Sequence, residues 1–136
     1  MPDDLKIAVV LRDDLAPWQS LNVTAFLVSG IGTAIGKLVG ESYEDADGVM
    51  YRSMFTNPVL IFAADRSGIG RAFDRARGRE LSIAVYTDAM FATGNDVDNR
   101  AAVKCVATAD LVLAGFSVVG DRRQVDKALD RLRLHP

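Results

Sequence analysis

Leu5-Lys6-Ile7-Ala8-Val9-Val10-Leu11 is a short apolar run rich in β-branched residues, closed by the charged Arg12-Asp13-Asp14. Apolar residues at odd and even positions alike suit a strand covered on both faces. Similar runs recur at residues 58–64, 81–86 and 111–119. Helical patterns lie between them. Pro17 and Ser20 punctuate the start of a helix predicted over residues 20–39, whose Leu27, Ile31, Ala34, Ile35 and Leu38 fall at helical spacing. Gly40 is placed to stop it. Asp47-Gly48 predicts a short hairpin or edge strand within residues 41–55. Ser67 is the expected N-cap of a helix reaching Gly78. A further helix is expected over residues 99–107, and Val125, Ala128, Leu129 and Leu132 predict an amphipathic terminal helix. Strands separated by helices imply a parallel or mixed sheet with helices on both faces. No linker, charge run or repeat divides the chain, so residues 1–136 read as one α/β domain.

The composition narrows the chemistry. With 136 residues, 49% hydrophobic and 25% charged, the chain is long enough to bury a core without staples. A net charge of −2 offers phosphates no bulk attraction, so nucleic acid is not an expected partner. Cys105 and His135 are the only residues of their kinds. A Ser-His-Asp triad, a Cys-His pair and a His/Cys zinc site therefore have no centre to form around. No metal and no cofactor are expected. The acidic start Met1-Pro2-Asp3-Asp4 is unlike a secretory signal, and a lone cysteine suits a reducing compartment, so a cytoplasmic location is expected. Residues 15–36 carry no charge, yet Gln19, Ser20, Asn22, Thr24 and Pro17 argue against a membrane span.

Gly30-Ile31-Gly32-Thr33-Ala34-Ile35-Gly36-Lys37 has the look of a phosphate loop and fails its requirements. Ile31 stands where the first Walker glycine belongs, and Leu38 follows the lysine. A dinucleotide loop would have to follow the first strand at once, which this segment does not. Small residues here are expected to let the helix lie close to its neighbours. Asp65-Arg66-Ser67-Gly68, running from strand into helix, reads as a cap in preference to an anion site.

Thr87-Asp88-Ala89-Met90-Phe91-Ala92-Thr93-Gly94-Asn95-Asp96-Val97-Asp98-Asn99-Arg100 is the most informative segment. It leaves the carboxyl end of a strand, where α/β sheets keep their sites. Met90 and Phe91 can anchor it. Asp88 or Asp96 would serve as a general base if burial raised its pKa. The structural alternative is that Asn95 or Asp96 caps the next helix while Arg100 pairs with a carboxylate. Asp96 and Asp98 lack the spacing of a calcium loop. Trp18 and Asn22 fall just after the first strand, at the same end as this loop if the strands run together. Asn22 either contacts a ligand or caps its helix. Cys105 reads as a small buried side chain.

Lys6 to Arg12, Trp18, Asn22-Val23-Thr24-Ala25-Phe26-Leu27, Pro58-Val59, Thr87 to Thr93, Asn99-Arg100, Asp110 to Gly115 and Val125-Asp126-Lys127 form an ordered set along the chain. In this the chain resembles a bacterial domain-of-unknown-function family whose members are similar in fold to type II peptidyl-tRNA hydrolases. The resemblance implies a three-layer α/β/α domain, a mixed and mostly parallel sheet of four to five strands, and a homodimer. It does not carry the hydrolase residues with it. Leu, Ala and Val fill residues 21–29 where those enzymes place Lys, Gln and His. Asp88-Ala89 keeps part of their Asp-Ala-Gly-x-Thr turn, but Met90 replaces the glycine and Thr93 comes one position late. Asp88 alone carries over as a candidate catalytic residue.

The expected function is binding of a small polar or anionic ligand near the loop 87–100, by Trp18, Asn22, Thr87, Thr93, Asn95, Asp96, Asn99 and Arg100. The alternatives are ester or amide hydrolysis with Asp88 orienting water, and a homodimeric interaction module.

Overall fold

The unbroken apolar run Ile7 to Leu11 of the first strand decides the architecture. In the computed structural model, which describes residues 4–136, strand β1 (Leu5–Arg12) is buried on both sides. Met1, Pro2 and Asp3 of the acidic start lie outside the described residues. Ile7, Val9 and Leu11 face one way, into clusters with Val23, Leu27 and Ile31 of helix α1 (Pro17–Ile31). Ala8 and Val10 face the other way, against Ile69, Ala72, Phe73 and Ala76 of α2 (Arg66–Arg77) and Val125 and Ala128 of α4 (Arg122–Ala128). One sheet with helices on both faces is the three-layer α/β/α arrangement, in a single domain.

Among the described residues the sheet holds five strands. β4 (Val59–Ala64) pairs parallel with β1, and β6 (Leu113–Asp121) pairs antiparallel with β1 on its other side. β5 (Ser82–Thr87) lies antiparallel beside β6, and the two-residue β7 (Arg133–Leu134) lies antiparallel beside β4. The order is therefore β5-β6-β1-β4-β7. Strands β2 (Tyr43–Glu44) and β3 (Met50–Tyr51) form a separate exposed hairpin, with Gly48 at φ +82° in its turn.

The sheet is mixed, as expected, but only the β1–β4 pairing is parallel, which corrects the expectation of mostly parallel pairing. The reason is the connection after β5. Helix α3 (Asp96–Lys104) buries none of its residues and packs on the 3-10 turn before it. It does not cross the sheet, so the chain re-enters as β6 beside β5 and in the opposite sense. The strand β7 went unforeseen, since two residues leave no period to read.

Boundaries of all four helices also differ from expectation; α3 starts at Asp96 and ends at Lys104, three residues ahead of the expected 99–107, because Asn95 caps it. α1 begins at Pro17, where Gln19 Oε1 accepts from the Ala16 backbone N–H at 2.9 Å. It ends at Ile31 and does not reach Val39, because Gly30, Gly32, Thr33 and Gly36 disfavour helix. Gly30 does bring α1 close to the sheet: a Cβ there would stand 2.8 Å from the Ala84 Cβ. Gly40 is no helix stop; its N–H donates to Met54 O at 2.9 Å. Asp65 caps α2 in place of Ser67, accepting from the Gly68 N–H at 2.7 Å. Ser67 instead accepts from Arg71 Nη1. The terminal helix stops at Ala128, ahead of Leu132. Among the described residues, no helix is long and apolar enough to cross a membrane.

Candidate functional site

Strands β1 and β5 both run antiparallel to β6, so their carboxyl ends share one edge of the sheet. From the first springs α1, from the second the 3-10 turn (Asp88–Ala92) and α3. Between α1 and this connection lies a cleft of about 290 Å³, at the lower end of ordinary ligand pockets.

One wall is a stripe of α1. Trp18, Asn22 and Phe26 recur every four residues and so stand in line on one helix face. Trp18 is 63% exposed and Phe26 49%, high values for aromatic side chains on a helix. Tyr86 and Phe91 form the floor, with ring centroids 5.1 Å apart. Phe91 meets Trp18 edge-on at 6.2 Å, and Tyr86 meets Phe26 at 5.8 Å. The opposite wall carries Thr93, Gly94, Asn95, Asp96 and Asn99.

The polar groups of this wall are partly spent on structure. Asn95 caps α3, its Oδ1 accepting from the Asp98 N–H at 2.9 Å and its Nδ2 donating to Asp98 Oδ2. Thr93 Oγ1 donates to Met90 O at 2.8 Å and also contacts Asn99 Oδ1. Asp96 pairs with Arg100 one turn along the helix. Among the described residues, the Asn99 Nδ2 group and the whole Asn22 amide make no hydrogen bond, and neither do the Trp18 indole N–H and the Tyr86 hydroxyl; Asn22 and Asn99 are the two amides with free groups facing the cleft.

Of the candidate binding residues, Trp18, Asn22, Thr93, Asn95, Asp96 and Asn99 line the cleft, while Thr87 and Arg100 do not. Thr87 is 4% exposed and its hydroxyl has no partner. Asp88 also stands outside the lining. Its Oδ1 lies 2.9 Å from Arg12 Nη1 as an ion pair without a hydrogen bond, while Arg12 Nη1 donates to Leu113 O and Arg12 Nε donates to Asp14 at 2.6 Å. Burial works against the Arg12 charge, but Asp14 and Asp88 outweigh it and raise the guanidinium pKa above its ordinary value. This cluster clamps the ends of β1 and β5 to the start of β6. Cys105 is exposed at the end of α3, where a buried side chain was expected.

Phe26 and Tyr86 line the cleft without being among the expected binding residues. The i, i+4, i+8 recurrence of Trp18, Asn22 and Phe26 was the available signal, masked by the apolar residues around it. Burial pushes the Tyr86 phenol above its ordinary 10.0. The fold therefore favours the neutral phenol, and that stability is lost as pH rises past about 10 toward the raised value. Melting temperature should fall across this range, and less steeply in Tyr86→Phe. Equal slopes for the two proteins would contradict the buried phenol.

A larger groove, about 650 Å³, runs between α2 and residues 108–113 on the opposite helical layer. Its Arg77 pairs with Asp74 and lies over the Phe73 ring. Volume favours that groove; free amides and exposed aromatic faces favour the cleft, and these bear on recognition more directly.

Fold and cleft together define a small α/β domain with a ligand-sized recess at the strand ends. The chain belongs to the DUF2000 family of proteins of unknown function, which matches residues 5–136. A solved structure of a protein of unknown function from Agrobacterium tumefaciens strain C58 is 39% identical, covers 98% of each chain and superposes with a TM-score of 0.94. No curated protein matches the chain.

Proposed function

We propose that this is a small cytosolic protein that binds a small polar ligand in the cleft between α1 and α3. The observation that carries the reading is the pair of unspent amides, Asn22 and Asn99, facing one recess from two elements. Amides held on helices are well placed for orienting contacts, and an apolar floor supplies area to bury. Each lost hydrogen bond should cost about 1 kcal/mol, so an Asn22→Ala, Asn99→Ala double variant should bind roughly 10- to 100-fold more weakly. A thermal-shift screen of metabolites against both proteins tests this. The expected result is a compound that raises the melting temperature of the wild type and leaves the variant unmoved. A compound that stabilised both equally would place binding elsewhere.

The geometry lends the hydrolase alternative no support, since Asp88 is committed to Arg12 and stands outside the lining.

A homodimer is the second proposal, favoured by strand β5. It is six residues long, ends the sheet, and has no charge or proline to blunt its open edge. Pairing of two such edges about a two-fold axis would continue the sheet across both copies. Sedimentation should show a dimer at micromolar concentration, with β5 amides exchanging more slowly as concentration rises. A monomer throughout would overturn the pairing.

A further inference from the structure

Accepting the cleft as a binding site, its lining specifies the ligand's shape and charge. We infer that it selects a small, flat, uncharged ring bearing an amide-like hydrogen-bonding edge.

Charge comes first. Among the described residues, Asp96 is the one charged residue in the lining, and it is ion-paired to Arg100, which lies outside it. The Arg12 guanidinium is turned to Asp14, Asp88 and the Leu113 carbonyl. An anion entering the cleft would lose its water and meet no free cation, a cost that pairing would have to offset. A cation would meet only a carboxylate already paired.

Shape follows from the aromatic residues. Trp18 and Phe26 stand about 12 Å apart along α1, eight residues at the usual helical rise, with Asn22 midway. Both rings keep about half or more of their surface open, although a packed floor of Tyr86 and Phe91 lies beside them. A flat ring covers such faces by stacking; a puckered ring of equal size touches them only at its hydrogens. The volume of about 290 Å³ admits one or two fused rings and little more.

Hydrogen bonding fixes the edge. Asn22 brings a donor and an acceptor, and Asn99 a donor. The complement is a planar group with adjacent acceptor and donor atoms, as in a carboxamide or a lactam edge of a heterocycle.

Trp18 is the only tryptophan, so its indole N–H gives a single nuclear magnetic resonance signal inside the cleft. Three probes divide the possibilities: nicotinamide is flat and neutral, nicotinate flat and anionic, and cyclohexanecarboxamide neutral but puckered. Titration of the 15N-labelled protein should show nicotinamide moving the indole signal and the Asn22 and Asn99 side-chain signals to saturation. Loss of stacking should weaken cyclohexanecarboxamide by roughly 5- to 150-fold. Nicotinate should be weaker than nicotinamide by at least about tenfold, given the missing cation. Trp18 is exposed, so Trp18→Ala should fold and lose most nicotinamide binding, while Trp18→Phe retains it.

Equal affinity for the flat and puckered amides would overturn the ring selectivity and leave the binding reading intact. Tighter binding of nicotinate would overturn the charge argument alone. If none of the three moved the indole signal, the inference would fail outright, and the metabolite screen would still judge the cleft separately.

Discussion

Replacing Phe116 with alanine should cost the fold about 3–5 kcal/mol and lower its melting temperature by roughly 10–20 °C. Phe116 has no exposed surface and sits on β6, the strand between β1 and β5. Its ring meets Phe73 of α2 at 5.6 Å with planes 60° apart, in the same cluster as Val125 and Ala128 of α4. Truncation removes the side chain that joins the sheet to both helices of one layer, leaving a cavity the neighbours can only partly close. Phe116→Leu keeps much of the volume and should lose far less. Urea unfolding of the three proteins measures the difference; a loss below about 1 kcal/mol for alanine would contradict the packing of that layer.

Arg12→Met should destabilise by about 1–3 kcal/mol and loosen the cleft as well. The Arg12 side chain is 11% exposed and serves Leu113 O, Asp14 and Asp88 together. Methionine restores most of the apolar stem and none of the donors, so the carbonyl and the Asp88 carboxylate lose their partner. Asp88 and Asp14 are 42% and 64% exposed, and water takes up part of that loss, which holds the cost below that of a fully buried pair. The clamp also sets where the 3-10 turn leaves β5, and so where Phe91 sits in the floor beside Tyr86. Ligand affinity should therefore fall although Arg12 touches no ligand. Unchanged stability together with unchanged affinity would sink the clamp.

The layers were legible because β1 states them: the unbroken apolar run Ile7 to Leu11 requires cover on both faces, and α1, α2 and α4 supply it. Strand direction was not legible. Whether a helix crosses a sheet depends on what it packs against, and α3, with a helical pattern like the others, packs against a turn. The end of α1 was misread because Ile35 and Leu38 keep helical spacing after the backbone has left the helix. Leu38 is buried all the same, by a turn that periodicity cannot distinguish from a helix.

The candidate site was legible in its polar half. Hydrogen-bonding residues dense at a strand end drew attention to Asn95, Asp96 and Asn99, and the position of Trp18 and Asn22 after β1 completed the opposite wall. Its aromatic half was hidden, since Phe26 and Tyr86 look like core in any apolar stretch. Thr87 and Arg100 stand next to the lining residues Tyr86 and Asn99 in the chain and point elsewhere in space, and one residue of strand or a third of a helical turn was enough to turn them away. Asp88, singled out by its place at the end of a strand and by the resemblance, is held by Arg12 instead.

The most direct test of the cleft is a crystal structure of the protein holding the compound that raises its melting temperature most. Density for that compound between Trp18, Asn22 and Asn99, with its plane against an aromatic face, is the expected result. Density in the groove between α2 and residues 108–113, with the cleft empty, would contradict it.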